Sequence, residues 1–116
     1  MTQQKMHEDL PPKTCTIDRL VTKPEDIKKV IQGKKTATRR NGRYADIGEI
    51  MNLSEKSFIV ERVYSQALGD MNNEHAKQEG FETLEEYKQA ILSYHPGMPW
   101  LPTMRVWVHE FREISK

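Results

Sequence analysis

Ten residues, Ile31-Gln-Gly-Lys-Lys-Thr-Ala-Thr-Arg-Arg40, bring two lysines, two threonines and two arginines together behind a glycine, with no acid among them. From Lys34 to Arg43 there are five basic residues and no carboxylate, although the 116-residue chain holds 18 Lys and Arg against 17 Asp and Glu. The positive charge is therefore local, and a local basic cluster on a nearly neutral domain points to a site for a phosphate, a carboxylate or a nucleotide. The cluster also holds the parts of an acyl-transfer site. A threonine hydroxyl is inert at neutral pH until a base removes its proton, and a lysine is such a base only as the neutral amine. Burial and neighbouring cations such as Lys34 and Arg39 favour that form. The plainer expectation for Arg39, Arg40 and Arg43 is solvated surface charge, and the sharper one is contact with a phosphate or RNA backbone.

Length and composition limit what surrounds the cluster. A chain of 116 residues with 36% hydrophobic and 30% charged residues reads as one ordinary domain able to bury a modest core. No run approaches the roughly 18 apolar residues of a membrane span, and the polar start lacks the apolar core of a signal peptide. The single cysteine, Cys15, excludes an internal disulfide and suits a reducing compartment, so a cytoplasmic protein without membrane association is expected. His7, His75, His95 and His109 show no metal-ligand spacing, there is no glycine-rich phosphate loop, and no cofactor is implied.

Several elements must position the cluster. Residues 1–13, ending at Pro11-Pro12, read as a flexible lead-in, with a single domain over 14–116. Thr22-Lys-Pro-Glu25 has the form of a capping box before a helix over about residues 24–32, whose apolar face is Ile27, Val30 and Ile31 and whose stop is Gly33. Thr36 to Arg40 favours strand, Asn41-Gly42 supplies turn chemistry, and Asp46-Ile-Gly-Glu49 turns into a strand over 49–53. Ser54 to Ser57 reverses the chain into the β-prone run Phe58–Tyr64. Asn72 or Asn73 caps a short helix that stops at Gly80, and Thr83-Leu-Glu-Glu86 is a capping box for a helix with Leu84, Tyr87, Ile91 and Tyr94 on one side. Three prolines make 95–103 a loop, and Met104–Phe111 alternates as a final strand in which Trp107 is expected in the core. This order is not regular βαβ alternation; it predicts an α+β fold with a mixed, mainly antiparallel sheet and two to three short helices.

Gly33-Lys-Lys-Thr-Ala-Thr-Arg39 followed by Ile47-Gly-Glu49 resembles the signature of the ASCH domain, a small β-barrel related in fold to the PUA RNA-binding domains. His75-Ala-Lys-Gln-Glu79, Glu82-Thr-Leu-Glu-Glu-Tyr-Lys88 and Tyr94-His-Pro-Gly97 resemble the bacterial N(4)-acetylcytidine amidohydrolases within that family. The resemblance implies a small PUA-like barrel and a hydrolase that releases acetate from an acylated cytosine nucleoside. It assigns Lys35 as proton acceptor, Thr38 as nucleophile and Glu79 as proton donor, with Lys34, Thr36, Arg39, Arg40, Arg43 and His75 around the substrate or RNA. The chain differs from the family pattern at Ala37 and Arg39, where β-branched residues are expected, and it adds the loop Gly97–Thr103.

Two geometric expectations follow. Side chains alternate along a strand, so Lys35 and Thr38 reach one site only if the chain is still turning before Thr36. His75 stands four residues before Glu79, so on a helix it would face the same way and could orient that carboxylate. Two functions stay open: a hydrolase of a small nucleoside, and a non-catalytic module that holds single-stranded RNA in the same basic cleft, using Tyr44, Tyr64 or Trp100 to stack on a base. A glutamate at the centre favours the hydrolase, because an RNA groove gains nothing from it. In the plainest reading Lys35 and Glu79 are a structural ion pair. The oligomeric state is not legible.

Overall fold

The computed structural model describes residues 12–114, so most of the expected lead-in, residues 1–11, lies outside it. Four strands form one sheet: β1 (Ala37–Arg40), β2 (Ile50–Leu53), β3 (Lys56–Ala67) and β4 (Arg105–Glu113). Their order is β1-β4-β3-β2, and each pair is antiparallel. The final strand is thus inserted between β1 and β3, and the mixed sheet expected from the sequence is antiparallel throughout. It curls into an open half-barrel rather than closing. β3 is the spine, paired to β2 near its start and to β4 along its length, with a register shift between Val60 and Arg62 that bends it.

Three helices cover the sheet: α1 (Pro24–Ile31), α2 (Asn73–Gln78) and α3 (Leu84–Tyr94). Single 3-10 turns at Ile17–Arg19 and Leu68–Asp70 lead into α1 and α2. α1 begins at Pro24 itself, which suits the first helical position, so Lys23 is the cap residue and makes no side-chain cap bond. The Thr22–Glu25 capping box is accordingly not formed. α2 is capped by Asn72, whose side chain accepts from the His75 amide while His75 Nδ1 accepts from the Asn72 amide. At α3, Thr83 accepts from the Glu86 amide, but the Glu86 carboxylate turns to the Glu82 amide instead of completing the box.

The apolar side chains divide into two clusters. Leu20, Val21, Val30, Met51, Leu53, Phe58 and Phe111 fill the space between α1 and the β2–β3 end, with Phe58 and Phe111 edge-to-face. Leu68, Met71, Ala76 and Tyr87 form the other, under α2 and α3, with Phe81, Leu84, Ile91 and Trp100 packed against them. Fully burying one such side chain stabilises by about 1.5–3 kcal/mol, so each cluster holds its helices down without help from the other. Trp107 joins neither cluster and is only half-buried, because its strand position pairs it with Arg40 and Ser65 away from both. Asn41-Gly42 bends the chain out of β1 but makes no hairpin, since the partner of β1 is β4.

The turn that matters for the site follows α1. Gly33 has φ +79°, in the left-handed region, and its amide donates to Val30 O at 3.0 Å. Lys34 N–H and Lys35 N–H both donate back to Lys29 O, so the chain is still turning at Lys35, and the strand begins only at Ala37. A Cβ on Gly33 would meet no atom within 4 Å, so Gly33→Ala carries conformational strain alone. It should lower the unfolding free energy by about 1–2 kcal/mol in urea denaturation, with Gly33→Asn costing less.

Candidate functional site

Glu79 is the residue that the cluster closes on. It caps the C-terminal end of α2 and is only 3% exposed. Lys35 Nζ lies 2.6 Å from its Oε1, and Arg39 donates through a terminal nitrogen to its Oε2 at 2.9 Å. Lys35 also reaches the Glu79 carbonyl at 3.4 Å, where the carbonyl end of a helix favours a cation. The Thr36 amide donates to Gln78 O at 2.8 Å, which ties the start of β1 to the end of α2. Both oxygens of one buried carboxylate are therefore engaged by cations from a single five-residue stretch.

Lys35, Thr38 and Glu79 line one pocket of about 150 Å³, walled by β1, the first turn of α1, Phe81 at the α2–α3 link, and Tyr87, Ile91 and Tyr94 of α3. Thr38 is buried, in β1 opposite His109 of β4. The early turn at Gly33 is what lets Lys35 and Thr38 share a pocket despite strand alternation. The ion pair anticipated as the plainest reading is present, and it stands in the wall of this pocket beside a threonine.

Two solved structures resemble the whole chain. An ASCH domain from Lactobacillus crispatus JV V101 superposes with a TM-score of 0.63 at 12% identity, over 97% of this chain and 86% of that one. A DUF984 protein from Enterococcus faecalis V583 does so with a TM-score of 0.55 at 16% identity, over 95% and 82%. The fold is that of an ASCH domain. No family model and no curated protein matches the sequence.

Within this ASCH fold the remaining basic residues have internal work. The Arg39 side chain is buried and donates to Gln66 Oε1 at 2.9 Å and Gln78 Oε1 at 3.2 Å as well as to Glu79. Arg39 is thus held in the framework, from where it also lines the pocket beside Lys35 and Thr38. Arg40 borders the pocket, but it donates to Leu20 O at 2.6 and 3.2 Å and lies over the Tyr44 ring. Arg43 is buried and paired with Asp46. Lys34 and Thr36 are exposed and line no part of the pocket. His75 does not touch the Glu79 carboxylate: its Nδ1 is taken by the Asn72 amide and its Nε2 lies 3.4 Å from Gln66 Nε2. It supports Gln66, which supports Arg39.

Gln66 and Phe81 are not singled out by the sequence, Gln78 enters only within the motif ending at Glu79, and Tyr87 reads only as part of the apolar side of its helix, since nothing in their spacing marks them as lining a site. Tyr87 is nine-tenths or more buried; burial first, then the Glu79 charge, holds its phenol well above the ordinary tyrosine range, so it stays protonated. Among the described residues no group of three or more His, Cys, Asp and Glu is placed to hold a metal ion.

His109 fixes the strand that carries Thr38. Fully buried, its Nε2 accepts from the Tyr44 amide at 3.0 Å, which leaves Nδ1 to carry the hydrogen toward Thr38 O at 3.3 Å. A protonated ring would set a second N–H against the Tyr44 N–H. Burial holds His109 below the ordinary histidine range; the Thr38 carbonyl opposes this and Arg40 adds to it. His75 is lowered in the same sense, by burial and by Arg39. For a histidine kept neutral in the folded state, the unfolded chain takes the proton first. The stability is present above about pH 6.5 and is lost as pH falls from there toward the folded value. Urea denaturation at about pH 7 and pH 5.5 should show a lower unfolding free energy at the acid end. In His109→Leu the slope should be shallower, with about 1–3 kcal/mol lost at pH 7 from the unpaired Tyr44 amide.

Proposed function

We propose that the protein is an amidohydrolase that removes the acyl group from N(4)-acetylcytidine or a related acylated cytosine nucleoside. The observation that carries the reading is the placement of Lys35, Thr38 and Glu79 in one pocket wall, with Lys35 and Glu79 in hydrogen-bond contact. The resemblance of the motifs around these residues to the acetylcytidine amidohydrolases supplies the substrate class.

The contact suits a coupled proton relay. Lys35 passes a proton to Glu79 across the 2.6 Å contact, which makes the base and the acid in one step. The Lys35 amine then takes the Thr38 hydroxyl proton as Oγ1 attacks the acyl carbon. The tetrahedral intermediate collapses as Glu79 protonates the departing exocyclic nitrogen, leaving cytidine, an acyl-threonine ester, Lys35 as the ammonium and Glu79 as the carboxylate. Water repeats the cycle: its proton goes to Lys35 after a second transfer to Glu79, and Glu79 returns a proton to Thr38 Oγ1 as the acid leaves. Arg39 and Gln66 hold the carboxylate so that Oε1 faces Lys35 throughout. The two cations on one carboxylate leave the cluster net positive, which favours the oxyanion of the intermediate.

The RNA-binding alternative has less support, because Arg39 is buried within the framework and Arg40 is spent on Leu20 O. Incubation with N(4)-acetylcytidine, with chelator present and chromatography of the products, should give cytidine and acetate. Lys35→Ala and Thr38→Ala should remove turnover, and Thr38→Ser should keep part of it. Glu79→Gln should lower kcat by at least roughly 100-fold with a smaller change in KM. No cytidine above background, together with single-stranded RNA binding that weakens steeply with salt, would replace this reading with the RNA module.

A further inference from the structure

The pocket of Lys35, Thr38 and Glu79 does not end at α3. A second compartment of about 280 Å³ adjoins it, the two sharing Arg39, Arg40, Tyr87, Ile91 and His95 as common walls. Beyond that boundary the lining is mainly apolar, with Leu68, Met98, Trp100, Met104 and Val106, and Asn41 and Tyr44 complete it. Together the two fall in the lower part of the range of roughly 300–1,000 Å³ of small-molecule sites, whereas the first alone is small for an acylated nucleoside.

The wall between Met98 and Met104 is the added loop, and it is built rather than loose. Met98 N–H donates to His95 O, Met104 N–H to Leu101 O, Leu68 N–H to Met104 O and Gly69 N–H to Pro102 O, all at 2.8–3.0 Å. Trp100 is set edge-to-face on Tyr87 with ring centroids 6.2 Å apart. Gly69 allows the close approach, since a Cβ there would lie 2.9 Å from Pro102 Cβ and 3.1 Å from its carbonyl oxygen.

Resting on the proposed hydrolase, we infer that this compartment receives the acyl group, and that the preferred substrates carry an apolar acyl chain larger than acetyl. Glu79 lines only the first compartment, so the nitrogen it protonates must lie there. The ring nitrogens and carbonyl of the cytosine then meet the polar groups found on that side alone, among them Lys23 and Asp26. The other substituent of the scissile carbon points away from Glu79, into the apolar lining. A cytosine ring placed there instead would set its polar edge against a mainly apolar lining whose own polar groups are Asn41 and Tyr44, a cost that apolar acyl carbons do not incur.

The test is a series of N(4)-acylcytidines: acetyl, butyryl, hexanoyl and benzoyl. For the wild-type protein kcat/KM should rise by at least about tenfold from acetyl to hexanoyl, since each buried methylene is worth up to about fourfold. Val106→Phe, which fills the compartment, and Gly69→Ala, which displaces the loop at Pro102, should each bring the hexanoyl-to-acetyl ratio down toward one. Thermal unfolding shows whether each variant is folded, and either one that is suffices. Acetyl turnover with a flat or falling series overturns this inference and leaves the hydrolase standing. If no member of the series is turned over, the hydrolase fails. Tryptophan fluorescence titration with the same compounds then decides the compartment alone: affinity that grows with chain length and is lost in Val106→Phe upholds it, and affinity indifferent to chain length overturns it.

Discussion

A carboxylate taken out of water costs several kcal/mol, and the cost is offset only by well-placed partners. Glu79 is such a carboxylate, and the way the chain supplies its partners organises the region around it. Lys35 and Arg39 approach its two oxygens from the two sides of Thr36–Thr38, and the Thr36 amide meets the carbonyl of Gln78 next to it. A short helix of six residues, which would not be stable alone, is thereby fixed against the beginning of a strand. Removing Glu79 would leave two cations in the interior without a counter-charge, so the arrangement depends on the carboxylate.

In the proposed reaction the structural ion pair would also be the catalytic one. A proton moved from Lys35 to Glu79 turns two opposite charges into a neutral base and a neutral acid without displacing a heavy atom. Such a transfer suits a buried site, where separated charge is most costly. The aromatic and apolar side chains of α3 that exclude water from the pair also form the wall against which a substrate would rest. In the proposed reaction the same residues, Tyr87 above all, would serve packing and chemistry.

Neutral framework groups carry much of the precision. Gln66 takes Arg39 from behind and is itself met by His75, while His109 ties the Thr38 carbonyl to the Tyr44 amide. Glutamine and neutral histidine orient charged groups and the strand backbone without adding charge that would compete with the pair. The basic stretch is correspondingly less exposed than its composition suggests: its arginines face inward, to Glu79, Leu20 and Asp46.

Short-range physics was legible in the sequence. The left-handed stop at Gly33 and the Asn72 and Thr83 caps each depend on a few neighbouring residues and each is where propensity places it, while the central strand, expected over 58–64, extends at both ends to Lys56–Ala67 because pairing with β2 and β4 carries it on. The motif around Lys35 and Thr38 marked the region of the site for the same reason. What only the tertiary structure decided are the pairings made across distance: β4 slotted beside β1, Arg39 turned inward to a glutamate 40 residues away, and Gln66 beneath it. A guanidinium is equally content in water and in a buried bidentate cradle as far as its own sequence shows. Its fate depends on whether the fold brings it a carboxylate that cannot reach water, and that is set by how two helices and a curled sheet close over Glu79.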